Sequence, residues 1–389
     1  NAFSEEFETW LCLYYDRRMK KPVFSFDLPL LIGVICLTLF GLLMVYNASS
    51  FISFRDFGHK YHYIRVQSLW MVLGFIGMAV MSRFNYKRLN QLSLPLLITA
   101  IILLIVVFIP GLGIGIKGAH RWIDFHLFVL QPAELVKLIL AIYLAAWFSK
   151  KEKGNFWAFM LLLCVVLGLV MLEPDMGTAI IILAEALMLY FLSGGKLFYF
   201  AVLLPALAII GLVLAIAQPY RRDRLLTYFS PNEQTLAKSY HVKQILISLG
   251  SGGLTGVGLG NSLQKYAYLP ENTTDSIFAI IAEEVGFIGS MLLIAGFLFV
   301  IWRGFVIASR AKDPFGKLLA GGITAFLGMQ MFINLAAQTA LLPLTGVPLP
   351  FISYGGSALV VDLLSIGILL NIGRENAALN NPITNKRIS

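Results

Sequence analysis

The chain is poor in charged residues, cysteine and histidine, and each shortage argues against a class of protein. Only 13% of its 389 residues are charged, whereas soluble domains contain about a quarter. Its three cysteines, Cys12, Cys36 and Cys164, provide neither a disulfide framework nor the spacing of a metal site. The five histidines are scattered and include no HExxH pair. A soluble domain, a disulfide scaffold and a histidine- or cysteine-based metal site are therefore not expected.

Apolar runs occupy most of the chain instead. Hydrophobic residues make up 58% of the sequence, and the mean hydropathy is +0.79. A helix needs about 20 apolar residues to cross a membrane. The runs therefore predict an all-α, polytopic membrane protein with about ten transmembrane helices. The predicted spans are residues 28–49, 66–81, 92–110, 132–148, 156–172, 177–193, 197–217, 277–302, 317–341 and 357–373.

The basic residues between these runs predict the orientation of the chain. The net charge of +9 is spread over short clusters, which suit membrane orientation and anionic headgroups better than nucleic acid. With the N-terminus inside, the inside segments carry 18 Lys and Arg residues and the short outside loops carry five. We therefore expect a cytoplasmic segment at 1–27, a membrane domain at 28–373 and a cytoplasmic tail at 374–389. The largest connection, 218–276 between spans 7 and 8, is expected to be extracytoplasmic.

The predicted outer connections contain most of the unusual polar stretches. "YRRDRLLTYFSP" has Leu225, Leu226 and Phe229 at helical spacing, which is typical of an interfacial helix. "LGSGGLTGVGLGNS" contains part of a GxGxxG pattern, but no strand precedes it, so a dinucleotide site is not expected. Its glycines are better explained by tight turns and close backbone approach. "PLPFISYGGSA" suits irregular, re-entrant backbone that lines a cavity.

Two polar pairs near the outer ends of the spans each have a structural and a functional interpretation. Glu134 and Lys137 share a helix face, and they form either a buried ion pair or part of a phosphate site. Trp122 suits an interfacial anchor. Alternatively, it stacks on a sugar ring while the neighbouring Arg121 binds a pyrophosphate. The spacing leaves both alternatives open.

Carboxylates stand at two further outer positions. Glu173 and Asp175, in "EPDMGT", are spaced to hold a divalent cation, although a solvated turn is the simpler interpretation. Asp275 precedes the eighth apolar run, and Thr273 or Thr274 is predicted to cap that helix. Asp275 then either complements the helix dipole, an effect of about 0.3–1 kcal/mol, or acts as a general base at the membrane surface.

Five stretches, in order along the chain, resemble the SEDS family of shape, elongation, division and sporulation proteins. They are "HRWID", "QPAELVK", "EPDMGT", "YHVKQILISLGSGGLTGVGLGNSLQKYAYLPENTTDSIFAIIAEEVGFIG" and "PFISYGGSA". "GLGNSLQK" and "NASSFISFRDFGHKYHYIRVQSLW" resemble the FtsW branch more than the RodA branch. The chain departs from the family pattern where Thr273 replaces a histidine, Ser276 replaces a phenylalanine and "QPAE" replaces "QPSE".

The resemblance implies a peptidoglycan glycosyltransferase that polymerises lipid II outside the bacterial cytoplasmic membrane, in cell division or cell shape maintenance. The family's essential aspartate falls on Asp275, which implies a general base for an inverting displacement. The residues implied or predicted to bind substrate are Arg121, Trp122, Glu134, Lys137, Glu173, Asp175, Lys265, Glu271 and Ser353.

The implied partners are lipid II, a class B penicillin-binding protein transpeptidase and other divisome or elongasome membrane proteins, with no nucleic acid. No cofactor is expected, and a divalent cation stays open as an assistant to the reaction. Two other functions stay open. One is a lipid II flippase, which the charged residues Glu185 and Asp362 within apolar runs also suit. The other is a scaffold that only recruits division proteins.

Overall fold

The computed structural model describes residues 26–116, 119–125, 128–150, 156–195, 240–266 and 269–379, which form ten helices and one small sheet. The helices are α1 (Leu28–Phe57), α2 (His62–Arg83), α3 (Lys87–Val106), α4 (Pro132–Phe148), α5 (Phe156–Leu172), α6 (Met176–Leu192), α7 (Tyr240–Ser251), α8 (Ile277–Arg310), α9 (Pro314–Gln338) and α10 (Gly356–Leu379). The strands are β1 (Gly113–Ile116), β2 (Ala119–Asp124) and β3 (Val129–Leu130).

The predicted helical membrane fold is confirmed. Six of the described helices are long and apolar enough to cross a membrane, namely α1, α2, α3, α8, α9 and the Gly356–Asn376 part of α10. Helices α5 and α6 are apolar but shorter. The predicted span at 197–217 and the predicted interfacial helix lie outside the described residues. The total of about ten spans therefore stays a prediction.

Several helices extend beyond the apolar runs that predicted them. Helix α1 continues to Phe57, where Gly58 ends it in a left-handed conformation with a φ of 72°. Helix α8 continues to Arg310, past the expected end of its span. Helix α10 continues to Leu379, so the predicted tail begins as helix. Helix α7 lies in the connection between spans 7 and 8, where no apolar run predicts it. Hydropathy does not predict these helix ends, because helical hydrogen bonding continues past the apolar stretch.

Helix α9 lies at the centre of the bundle. Its most apolar window is 78% buried, whereas that of α2 is only 17% buried. Helix α9 packs against α4, α6, α8 and α10. A helix enclosed in this way has little lipid-facing surface, so its polar side chains must find partners inside the protein. Three of them, Gln330, Asn334 and Gln338, are at most 2% exposed.

A three-stranded antiparallel sheet connects α3 to α4, with β2 in the centre. Trp122 pairs with Ile114 on β1, and Ile123 pairs with Leu130 on β3. The sequence analysis did not predict this sheet, because its strands are too short for alternation to stand out beside the neighbouring apolar runs. The sheet carries Arg121 and Trp122, two of the predicted substrate-binding residues.

Helix α8 is kinked at Gly286, where φ is 69°. Glycine suits this position because other residues are strained in the left-handed region. The glycine-rich segment packs against the kink, and the Val257 N–H donates to the Glu283 carbonyl at 3.0 Å. A Cβ on Gly256 would lie 2.1 Å from the Glu284 carbonyl oxygen. The predicted close backbone approach of these glycines is confirmed.

Candidate active site

Asp275 lies just outside α8 rather than in its first turn. The helix begins at Ile277, and Ser276 occupies the N-cap position. The predicted cap by Thr273 or Thr274 is therefore wrong, because both residues precede the actual cap. The apolar run does not mark this boundary, since residues 269–276 form bends and turns before the helix starts.

The first turn of α8 is satisfied by neighbouring helices. The Ala279 N–H donates to Oε1 of Gln338, on α9, at 2.8 Å. The Ser276 hydroxyl lies 2.7 Å from Nε2 of His241, on α7. Because a side chain from α9 accepts this N–H group of the first turn, that group does not depend on the carboxylate of Asp275.

The Asp275 carboxyl group is buried beside a second acid. Only 9% of the residue is exposed. Burial, followed by the charge of Glu271 and a hydrogen bond with it, raises the pKa of Asp275 to about 8. The Thr274 hydroxyl donates to Asp275 Oδ1 at 3.3 Å. A carboxyl group that exchanges its proton near neutral pH suits acid–base chemistry.

Two amide side chains from α9 hold the backbone of Asp275. Nδ2 of Asn334 and Nε2 of Gln338 donate to the Asp275 carbonyl oxygen at 2.9 and 2.7 Å. Nε2 of Gln338 also lies 2.8 Å from Oδ1 of Asn334. Nδ2 of Asn334 donates further to the Val347 carbonyl at 2.7 Å. The peptide that carries the Asp275 side chain is thereby fixed to the central helix.

The segment between α9 and α10 lies against the same site. The Tyr354 N–H donates to the Thr273 carbonyl at 2.8 Å. Ser353 is 4% exposed, and its hydroxyl closes a turn by accepting a backbone N–H at 2.8 Å. Gly346 has a φ of 75°, and a Cβ there would lie 3.9 Å from Asp275 Oδ2. The segment is irregular backbone, as its prolines and glycines predicted, and it is mostly buried over residues 347–353. That it re-enters the membrane and lines a cavity stays a prediction.

The turn between α5 and α6 is buried, so the simpler sequence interpretation, a solvated turn, is wrong. Glu173 is 0% exposed and Asp175 is 5% exposed. Asp175 caps α6, with its Oδ1 accepting the Thr178 N–H at 3.1 Å. Burial and then the charge of Asp175 raise the pKa of Glu173 to about 8, while Arg121 opposes this shift. Contacts with strand β2 help to bury this turn.

Arg121 binds this turn from β2. Its Nε donates to the Glu173 carbonyl at 2.9 Å, and its Nη2 donates to the Pro174 carbonyl. A guanidinium has five N–H donors, so donors remain for an anion beyond these two contacts. Trp122 is the next residue on the strand, and the register shifts beside it, since Ile114 pairs with Trp122 whereas Gly115 pairs with His120. Arg121 is thus the extra residue of a β-bulge, where the regular alternation of side chains is interrupted.

Glu134 and Lys137 form an ion pair inside the bundle. Nζ of Lys137 lies 2.8 Å from Oε2 of Glu134, and the two side chains are 0% and 2% exposed, respectively. Nζ also donates to Oε1 of Gln330 at 2.5 Å, and Gln330 donates to the Pro348 carbonyl at 3.1 Å. This geometry favours the buried ion pair over a phosphate site, because the ammonium already has a carboxylate and an amide as partners.

A second acidic pair, Glu283 and Glu284, is supplied with donors from several elements. Glu283 accepts from the Ser262 hydroxyl at 2.5 Å and from the Ser248 hydroxyl at 3.2 Å. The Leu263 N–H donates to its other oxygen at 3.1 Å. These contacts fasten the glycine-rich segment and α7 to the kinked part of α8.

Lys265 belongs to the contacts of this second pair. Its Nζ lies 3.6 Å from Oε1 of Glu284, and it donates to Oδ1 of Asn47 at 3.1 Å and to the Gly260 carbonyl. Nδ2 of Asn47 donates to Oε2 of Glu284. Lys265 is only 5% exposed. The structure therefore places this predicted substrate-binding residue in a network that joins α1 to α8.

Apart from Lys265 and Trp122, the predicted site residues fall into three groups that meet at the segment before α10. Asp275, Glu271 and Ser353 form the first. The buried turn that Arg121 contacts forms the second, and a Cβ on Gly177, which follows that turn, would lie 2.4 Å from Cγ2 of Val347. The third is the Glu134–Lys137 pair, which reaches the same segment through Gln330.

The sequence analysis missed the amides of α9. Gln330, Asn334 and Gln338 recur every four residues, so they line one face of the helix. Amide side chains at helical spacing within an apolar run could have indicated this buried polar face. Within the described ranges, no three His, Cys, Asp or Glu side chains are arranged to hold a metal ion. The divalent cation stays a prediction.

Fold and site together define a class of protein: a multi-pass helical membrane protein with a buried carboxyl group at the start of one helix and central amides that hold it. The FtsW/RodA/SpoVE cell cycle protein profile matches residues 28–378. The chain belongs to this family.

The names of related proteins indicate the enzyme class. The chain is 38% identical over 358 residues to a probable peptidoglycan glycosyltransferase FtsW of Geobacter metallireducens, covering 90% of this chain and 96% of the relative. It is 41% identical over 360 residues to a protein of the same name in Coxiella burnetii, covering 90% and 97%. It is 37% identical over 356 residues to the stage V sporulation protein E of Bacillus subtilis, again covering 90% and 97%. The predicted enzyme class, peptidoglycan glycosyltransferase, is confirmed.

Solved structures resemble most of the chain. One is a chain of a peptidoglycan synthase complex that coordinates polymerization and crosslinking, with a TM-score of 0.75, 26% identity and coverage of 91% of this chain and 99% of that chain. Another is the rod shape determining protein RodA of Thermus thermophilus, with a TM-score of 0.68, 26% identity and coverage of 91% and 98%. The higher identity to the FtsW relatives agrees with the predicted branch.

Proposed function

We propose that this chain polymerises lipid II into glycan strands with Asp275 as the general base. The observation that most directly supports this role is a buried carboxyl group whose pKa is raised to about 8 and which lies outside the helix that follows it. The acceptor sugar's 4-hydroxyl attacks the anomeric carbon of the donor and gives its proton to Asp275. The bond from that carbon to the polyprenyl pyrophosphate breaks, and its electron pair leaves with the pyrophosphate oxygen. The anomeric centre inverts in this single displacement.

Positive charge is needed where the pyrophosphate departs. Arg121 suits this role best among the described residues, since its guanidinium keeps donors beyond the two carbonyls that it binds. Lys137 and Lys265 each lie beside a glutamate, which suits them better to holding the protein together. Arg221 and Arg222, in the "YRRDRLLTYFSP" stretch, lie outside the described residues.

We further propose that the site faces the outside of the bacterial cytoplasmic membrane and that both termini are cytoplasmic. The asymmetry of 18 basic residues in the inside segments to five in the short outside loops supports this orientation. A cysteine in place of exposed Thr255 should react with an impermeant thiol reagent from outside, in a chain without its native cysteines. A cysteine in place of exposed Ser309, at the other end of α8, should react only after permeabilisation. The reverse pattern would overturn the orientation.

A class B penicillin-binding protein is the proposed partner. The similarity to a chain of a synthase complex that couples polymerization to crosslinking supports this proposal. Such a partner would crosslink the strands that this chain makes. Other divisome or elongasome membrane proteins are proposed to contact the same assembly.

Purified protein with labelled lipid II tests the polymerase directly. In detergent, with and without the partner and with and without a chelator, long glycan chains should form under at least one condition. A flippase needs two membrane sides, whereas a polymerase does not. Lipid II movement across vesicle membranes without glycan synthesis in any condition would favour the flippase instead.

A further inference from the structure

We infer, on the basis of the proposed role of Asp275 as the base, that Asn334 and Gln338 are positioning residues that hold its peptide and thereby aim its carboxyl group. Neither residue is predicted to touch substrate. Both act from α9 on the backbone of Asp275.

The contacts converge on one peptide. The Asp275 carbonyl oxygen accepts from Asn334 at 2.9 Å and from Gln338 at 2.7 Å. The other end of the Gln338 amide accepts the Ala279 N–H at 2.8 Å. Gln338 therefore binds the chain on both sides of the start of α8. Its oxygen faces a donor and its nitrogen faces acceptors, so its partners fix the orientation of the amide.

A base in this position needs such support. Asp275 lies in a turn, where nearby Glu271 has a φ of 51°, and not on a regular helix or strand. Catalytic groups on loops are held less accurately than groups on rigid elements unless neighbouring residues fix them. Helix α9 is the most buried of the candidate spans that the structure describes. Asn334 and Gln338 are 2% and 1% exposed, so water does not compete for their bonds.

A purely structural role would give a different experimental signature. If these amides only satisfied buried backbone groups, their loss would reduce the amount of folded protein and leave each folded molecule as active as before. A positioning role predicts a lower turnover number per folded molecule with little change in KM, because substrate binding does not use the aim of the base.

Gln338→Met removes both ends of one amide at similar length, and Asn334→Ala independently removes the other donor to the same oxygen. Each should lower kcat by about tenfold to a hundredfold, the range expected when a reacting group is misplaced by roughly 1 Å. Thr324→Val on the same helix is the matched control. Thr324 is 2% exposed and bonds only to the Ala320 carbonyl in its own helix, at 2.7 Å, among its described contacts. This control should keep the wild-type kcat.

A double-mutant cycle shows whether the amides act through Asp275. Adding Gln338→Met or Asn334→Ala to Asp275→Asn should cause no further loss of kcat, because the base is already absent. Wild-type kcat in both single variants would overturn the positioning role, and so would losses that multiply with that of Asp275→Asn. Wild-type kcat in Asp275→Asn alone would instead overturn the proposed base. Asn334→Ala decides the matter where Gln338→Met yields no folded protein.

Discussion

Two acidic pairs lie on the same stretch of chain, and the protein surrounds them in opposite ways. The first pair, Glu271 and Asp275, stands before α8, where the Asp275 carboxyl group contacts the Glu271 side chain and the Thr274 hydroxyl, the latter at 3.3 Å. The second pair, Glu283 and Glu284, lies within α8 and receives hydroxyl, backbone, amide and ammonium donors. A buried carboxylate that is surrounded by hydrogen-bond donors is typical of a structural role. A carboxyl group that is buried beside another acid has a perturbed pKa, which is typical of active sites.

The comparison also explains why the same residue type has two roles here. The donors around Glu283 and Glu284 come from α1, α7 and the glycine-rich segment, so the second pair joins parts of the chain that are distant in sequence. The fixed contacts of Asp275 are made instead by its backbone, to α9. Its carboxyl group, beside Glu271 and Thr274, has the proposed role of general base.

The largest expected effect is that of Asp275→Asn on turnover. An amide accepts no proton at neutral pH, so we expect polymerisation at least about a hundredfold slower, the low end for loss of a positioned base. Lipid II binding should persist, because the shape of the side chain is retained. Glycan synthesis from labelled lipid II measures the rate. A rate equal to that of the wild type would make Asp275 structural and direct attention to Glu271 and Asp175.

The stability of the same variant serves as its control. Folding raises the pKa of Asp275 from 3.8 to about 8, so between these values the folded protein binds more protons than the unfolded one. The contribution of this group to stability is then greatest at low pH and falls as pH rises through that window. Asp275→Asn removes the titration. The Tm of the variant minus that of the wild type should therefore increase with pH. A variant that is folded in this measurement has lost activity for a reason other than unfolding.

The next effect is on stability and concerns the second pair. Glu283→Gln should lower the free energy of unfolding by about 1–3 kcal/mol, because an amide nitrogen replaces an acceptor that buried donors require. Turnover per folded molecule should change much less than in Asp275→Asn. Thermal unfolding and rate measurements on the same protein sample test both statements. A Glu283→Gln protein as stable as wild type but without activity would remove the distinction between the two pairs.

A smaller effect is expected at the cations. Arg121→Ala should lower turnover by about tenfold, the equivalent of one charge-assisted hydrogen bond. Arg121→Lys should restore only part of it, because the planar fork is lost. Lys265→Ala should act mainly on Tm, since it removes the ammonium beside Glu284. Normal turnover and normal Tm in Arg121→Ala would exclude it from both substrate binding and support of the buried turn.

Local patterns in the sequence predicted the helices and the segment that carries Asp275, because hydropathy and motif spacing are local properties. They did not predict which donors reach which acid. Asn47 on α1 donates to Glu284 on α8. Gln338 on α9 accepts an N–H of the first turn of α8, where the sequence had predicted a threonine cap. Such contacts depend on how the helices pack. The strand that carries Arg121 and Trp122 was also hidden, since it is short and lies between long apolar runs.

The smallest expected effect is a shift in the pH profile, and it tests the cause of the difference between the pairs. If the general base has a pKa of about 8, kcat/KM should rise as pH increases toward and past that value, because only the ionised form accepts a proton. The charge of Glu271 makes ionisation of Asp275 harder, so Glu271→Gln should lower that pKa and move the acid limb to lower pH. Glu283→Gln, the matched change in the second pair, should leave the limb in place. We expect a shift of about one pH unit or less, since burial is the larger cause and remains in the variant. Rates measured from pH 6 to 9 resolve it. An acid limb that stays unchanged in Glu271→Gln would mean that the first pair is not coupled, and burial alone would then set the proton affinity of Asp275.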